Sequence, residues 1–195
     1  MEKQTERPPI FTIGYGNRPV EELIALLRHY KIEYLVDIRS QPYSRYHPDF
    51  SKAALEAKIK QQGLRYLFMG DKLGGRPEDA DCYVNGKVDY AVLRAKPFYQ
   101  QGVQRISTAR ERGARMALLC SEQKPQECHR GKLIGPTLRE QGIEVAHIDE
   151  EGKLKSQEEV DLLLTGGQLS LFDDPMLNTK TGLSRKKYAL EDLNQ

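Results

Sequence analysis

Five short apolar runs, separated by segments of helical period, constrain this chain more than any other feature of its sequence. They are residues 10–14 (IFTIG), 34–38 (YLVDI), 64–68 (LRYLF), 116–120 (MALLC) and 144–148 (EVAHI). Near-continuous apolar runs of this length suit strands buried on both faces of a parallel sheet. Between the first two, Val20, Leu23, Ile24 and Leu27 recur at helical spacing, and Pro19 sits where its missing N–H costs least. Residues 50–62 and 130–141 read as helices ending at Gly63 and Gly142, and residues 98–112 as one ending at Gly113. Pro136 is expected to kink the helix that contains it or delay its start. The alternation predicts a single-domain α/β fold, an open and mostly parallel sheet of about five strands with helices on both faces. Residues 8–150 form the expected α/β domain, and 151–195 a C-terminal helix with a flexible tail. Residues 71–96, charged and glycine-containing without clear period, read as a lid or insertion.

Composition narrows the setting. The chain has 195 residues, 30 Lys+Arg against 28 Asp+Glu and a net charge of +2. That balance neither requires nor excludes a polyanionic partner. No apolar run reaches the length of a membrane span, and the charged start MEKQTERPP lacks the apolar core of a signal peptide, so a cytoplasmic protein without membrane contact is expected. Three cysteines cannot build a disulfide framework. Cys82 reads as incidental; Cys120 and Cys128 are the thiols to consider.

In open α/β sheets ligands bind outside the carboxyl ends of the strands. There the sequence places Gly14-Tyr15-Gly16, then Arg39 to Arg45, then Gly74-Gly75-Arg76, then Cys120-Ser121-Glu122 leading to Cys128-His129-Arg130. A thiol at a helix start beside His129 and Arg130 is favoured as thiolate, which a nucleophile or redox sulfur requires. Glu122 suits a general acid or base, or an orienter of Arg130. The catalytic candidates are therefore Glu122, Cys120, Cys128 and His129; the anion-binding candidates are Arg39, Ser44, Arg45 and Arg130. In the competing structural reading Cys120 is a small core residue, Glu122 pairs with Arg130, and Asp37 ties down its loop. Seven residues between the thiols differ from the short spacing of structural zinc sites, so neither metal nor cofactor is expected. Gly14-Tyr15-Gly16 lacks the third glycine of a dinucleotide fingerprint.

The series T-I-G-Y-G-N-R (12–18), L-V-D-I-R-S-x-P-x-S-R (35–45), F-x-x-x-x-L (50–55), Y-x-x-x-x-x-x-L-G-G (66–75) and L-C-S-E-x-x-P-x-x-C-H-R (119–130) resembles the family catalogued as domain of unknown function 488. The resemblance implies one α/β domain and a site at Arg39, Ser44, Arg45, Cys120, Glu122, Cys128, His129 and Arg130, with no activity attached. The tail carries a second resemblance. Gln168-Leu169-Ser170-Leu171-Phe172 is similar to the peptide by which bacterial replication and repair proteins bind the DNA sliding clamp. There Gln168, Leu169, Leu171 and Phe172 would be the partner-binding residues, Leu171 and Phe172 filling an apolar pocket; the alternative is that they cover the domain's own surface. Together these features predict an enzyme acting on nucleic acid or a phosphate-bearing substrate, recruited by the clamp in replication or repair. The alternatives are a small-molecule sulfur-transfer or redox enzyme, and a non-catalytic nucleotide- or DNA-binding adaptor.

Overall fold

The computed structural model describes residues 7–166 and 182–188. In chain order its regular elements are β1 (Ile10–Gly14), α1 (Val20–His29), β2 (Tyr34–Asp37), α2 (Lys52–Gln61), β3 (Arg65–Phe68), α3 (Gly70–Leu73), β4 (Tyr83–Val84), β5 (Lys87–Val88), α4 (Tyr90–Ala95), α5 (Pro97–Glu111), β6 (Met116–Cys120), a π-turn (Arg130–Ile134), α6 (Gly135–Glu140), β7 (Val145–Ile148), β8 (Leu154–Ser156) and α7 (Gln157–Thr165). Six strands form one sheet in the order β3-β2-β6-β1-β7-β8. All neighbours are parallel except β7 and β8. The fold is a single-domain α/β architecture, and among the described residues no helix is long and apolar enough to cross a membrane.

Two-residue alternation explains why the sheet needs cover on both sides. In β6, Met116 and Leu118 join one core, while Ala117 and Leu119 join the other. The first core takes apolar side chains from α4, α5, the π-turn and α6. The second takes Val20, Leu23 and Leu27 from α1 with Leu55 and Ile59 from α2. At about 25 cal/mol per Å² of buried apolar surface, such layers supply the main stabilisation.

Several expectations are modified. β3 is an edge strand with Arg65 and Leu67 exposed, so only Tyr66 and part of Phe68 face inward. The segment after residue 150 adds β8 to the sheet edge. α7 then starts from a capping box in which the Ser156 hydroxyl accepts from Glu159 N–H and the Glu159 carboxylate accepts from Ser156 N–H. The span read as a lid holds a packed helix and hairpin instead: Cys82, Val88, Tyr90 and Leu93 are core residues. Its hairpin turns at Asn85-Gly86, both at positive φ, as a two-residue loop requires. The helix expected over 130–141 is two pieces, a π-turn followed by α6 with Pro136 in its first turn. The clamp-like residues Gln168, Leu169, Leu171 and Phe172 lie outside the described residues.

Candidate functional site

The carboxyl end of β6 lies between those of β1 and β2, with Gly14 beside Cys120 and Asp37 beside Leu119. Close approach of these ends depends on glycine. A Cβ on Gly14 would overlap the carbonyl oxygen of Glu122, and one on Gly75 would come to 2.7 Å from the His129 ring. The amides of Tyr15 and Gly16 donate to the carbonyls of Cys120 and Ser121. Gly14-Tyr15-Gly16 is thus a packing device that sets the loop after β6, with those donors engaged by protein.

Outside these ends opens a cleft of about 250 Å³, lined among others by Arg39, Ser40, Gly75, Arg76, Cys120, Glu122, Cys128 and His129. At its floor Cys120 and Cys128 are joined as a disulfide, with their Cα atoms 7.3 Å apart. Both are almost fully buried. The His129 Nδ1 lies 3.5 Å from each sulfur, and a Glu122 carboxylate oxygen lies 2.9 Å from the Cys120 sulfur. The Arg130 amide is directed at the Cys128 sulfur from 3.4 Å. The π-turn makes this convergence possible, since its wider turn starts immediately after Cys128-His129. Burial lowers the His129 pKa, with Arg130 adding to the effect and Glu122 opposing it. Its Nε2 is buried with no hydrogen-bond partner among the described residues.

Arg39 forms one wall of the cleft. Its Nε and Nη2 donate to the two carboxylate oxygens of fully buried Asp37 at 2.9 and 2.6 Å, and Tyr66 donates to the same carboxylate at 2.6 Å. Burial opposes the Arg39 charge, but Asp37 outweighs it and raises the pKa. The third guanidinium nitrogen, Nη1, is buried and has no hydrogen-bond partner among the described residues. Asp37 therefore ties the loop and fixes two of the three guanidinium nitrogens of Arg39.

The other anion-binding candidates sit elsewhere. Ser44 accepts from the His47 amide within its own loop, and Arg45 is an exposed residue of that loop; neither lines the cleft. Arg130 is wholly buried. Its guanidinium donates to Thr12 Oγ1, the Ile148 carbonyl and the Gln123 carbonyl, stapling the loop to the sheet rather than facing the cleft. Burial, then repulsion from Arg18, lowers its pKa to about 9.

One wall went unnoticed in the sequence. Residues 182–188 return to the β4–β5 hairpin: Ser184 N–H donates to Val88 O, Val88 N–H to Ser184 Oγ, and Tyr188 N–H to Gly86 O. This strap brings Arg185 to 3.1 Å from Glu127 and Lys186 to 3.8 Å from Glu122, while Arg76 lies over the Tyr188 ring. Asn85-Gly86 was the available signal for the hairpin; nothing local marks where a distant tail docks.

Neither the curated proteins nor the solved structures contain a match to this chain. The family model described as "Domain of unknown function DUF488" matches residues 19–135, more than half of the chain and nearly the whole path from α1 through the thiol pair, and the chain belongs to that family.

Proposed function

We propose that the chain is a thiol–disulfide enzyme that exchanges two electrons with an anionic substrate at Cys120 and Cys128. The observation that carries this reading is the meeting of both sulfurs, a carboxylate and an imidazole at the floor of a cleft whose wall holds the unpartnered Arg39 Nη1. A buried guanidinium donor without a partner favours a carboxylate or phosphate on the ligand.

The pair is asymmetric. The Arg130 amide faces Cys128, which favours a thiolate there, and Glu122 faces Cys120, where it can take a proton. In the reduced enzyme the Cys128 thiolate attacks one sulfur of a substrate disulfide, forming a mixed disulfide and releasing the first substrate thiolate. Cys120 gives its proton to Glu122 and attacks the Cys128 sulfur; the second substrate thiolate leaves and the Cys120–Cys128 disulfide closes. Two electrons pass to the substrate, and an external dithiol restores the enzyme. Iodoacetamide labelling of the reduced folded chain at neutral pH, mapped by mass spectrometry, tests this. Cys128 is expected to react first and Cys82 last, because burial pushes the Cys82 thiol up to about 11. Uniformly slow labelling of Cys120 and Cys128 counts against the proposal.

A second reading concerns recruitment and rests on Gln168–Phe172, the clamp-like peptide. Under it the enzyme meets its anionic substrate at replicating or repaired DNA. A sliding-clamp pull-down comparing wild type with the Leu171→Ala/Phe172→Ala double variant is expected to show loss of capture in the variant. Equal capture of both removes this reading and leaves the thiol chemistry untouched.

A further inference from the structure

At the floor of the cleft four electron-rich atoms converge. The sulfurs of Cys120 and Cys128 and a nitrogen of His129 all lie within 4.8 Å of one another, buried. The His129 Nδ1 is equidistant from the two sulfurs at 3.5 Å, and a Glu122 oxygen is 2.9 Å from the Cys120 sulfur. A carboxylate oxygen and an imidazole nitrogen packed this closely on sulfur are held there by a proton or a cation between them. The backbone spacing adds a second indication. A Cα separation of 7.3 Å exceeds the usual range of about 4.4–6.8 Å for disulfide-linked residues. The main chain thus holds the two cysteines farther apart than a bond between their sulfurs ordinarily needs.

We propose that in the reduced chain Cys120 Sγ, Cys128 Sγ and His129 Nδ1 bind one borderline-soft divalent cation of the zinc class, with the Glu122 carboxylate on the cleft side as the fourth group. Two thiolates, an imidazole and a carboxylate form a donor set that prefers zinc to the hard magnesium or calcium ions. Two negative thiolates also offset the desolvation of the ion in a site this buried. The unusual spacing between the thiols follows from the fold: one ligand ends β6, the other two open the π-turn, and the loop between them is pinned by Arg130 through the Gln123 carbonyl. The ends of two elements supply the chelate in place of one short knuckle. This inference rests on the reduced form of Cys120 and Cys128 that the proposed function uses, because only the dithiolate can hold the ion. With a peroxide as oxidant the exchange balances: two bound thiolates, one hydrogen peroxide and two protons give the disulfide, two waters and the released cation.

The test uses the full chain, reduced under inert gas, stripped with chelator and then given zinc or, as a coloured probe, cobalt(II). Metal content after gel filtration is expected at one ion per chain, with thiolate-to-cobalt charge-transfer absorption, and stoichiometric peroxide is expected to release the ion as two thiols disappear. Cys128→Ser should weaken binding by more than the roughly 100-fold that outer-sphere changes produce. Glu122→Gln should weaken it less, and Cys82→Ser should leave it unchanged; circular dichroism establishes that each variant is folded. A reduced, folded chain that takes up no more zinc than the Cys120→Ser/Cys128→Ser variant overturns the inference. If that same metal-free chain still alkylates rapidly at Cys128, the redox reading survives; if zinc binds but peroxide and iodoacetamide leave the thiols untouched, the metal site stands and the redox reading falls.

Discussion

Arg39 and Arg130 both follow strand ends, yet their surroundings give them opposite tasks. Asp37 engages two nitrogens of Arg39 and leaves the third without a partner among the described residues, whereas Arg130 directs its donors at Thr12 and two backbone carbonyls. Arg39→Lys keeps a charge but loses the fork, and should weaken binding of an anionic ligand by about 1–2 kcal/mol, read by titration calorimetry. Arg130→Met leaves the Gln123 and Ile148 carbonyls unsatisfied; it should cost about 2–4 kcal/mol of stability in urea denaturation, and an unchanged midpoint would refute the stapling role.

His147 extends the same buried network. Gln157 donates its amide hydrogens to Gly131 O and Asp161, so its oxygen accepts from His147 Nε2, and the Thr12 hydroxyl, already accepting from Arg130, donates to His147 Nδ1. The bond that Nδ1 accepts from Thr12 requires neutral imidazole, whereas the one donated to Gln157 favours the charged ring. Burial, with Arg130 nearby, lowers the His147 pKa to about 3, against about 6.5 unfolded. Because the unfolded chain takes the proton more readily, this contribution is complete above about pH 6.5 and declines as the pH falls toward 3, by at most about 1.4 kcal/mol per pH unit. Denaturation midpoints between pH 7 and 5 should fall less steeply in His147→Gln than in wild type.

At the scale of elements, the hairpin and the strap form one unit. Ser184 both accepts from Val88 N–H and donates to the Lys186 carbonyl, so Ser184→Ala removes two bonds that hold the strap against the hairpin. Faster hydrogen exchange at the Val88 amide, with no change at the β6 amides, is the expected outcome; equal protection in both proteins would show that backbone pairing alone holds the strap. The π-turn is the other decisive element. The sequence predicts a helix over 130–141 that Pro136 kinks or delays, and apolar spacing there does not distinguish an α-turn from a π-turn. Packing decides: a Cβ on Gly131 would overlap the carbonyl oxygen of Pro125, and one on Gly135 the side-chain oxygen of Gln157. Gly135→Ala should therefore displace Gln157, and with it the hydrogen-bond chain to His147, at a cost of about 1–3 kcal/mol.

For the molecule as a whole, the central strand carries both the core and the chemistry. Leu118 and Leu119 point to opposite layers, so truncating either to Ala should cost about 2–5 kcal/mol while leaving the other layer's packing intact. Parallel order, helices on both faces and the strand-end location of the polar residues were legible in the sequence, because burial on two faces imposes continuous apolar runs and the sheet's connections carry the loops to one end. Cys120, Glu122, Cys128 and His129 could be named from their clustering within ten residues. Other things required the tertiary structure: that Arg130 turns inward, that Ser44 and Arg45 stand away from the cleft, that two sulfurs, an imidazole and a carboxylate meet, and that residues 182–188 close one wall. Local spacing reports which face of an element is apolar; the direction of a buried polar side chain is set by partners such as Thr12, Gln123 and Asp37, which become its neighbours only when the strands align.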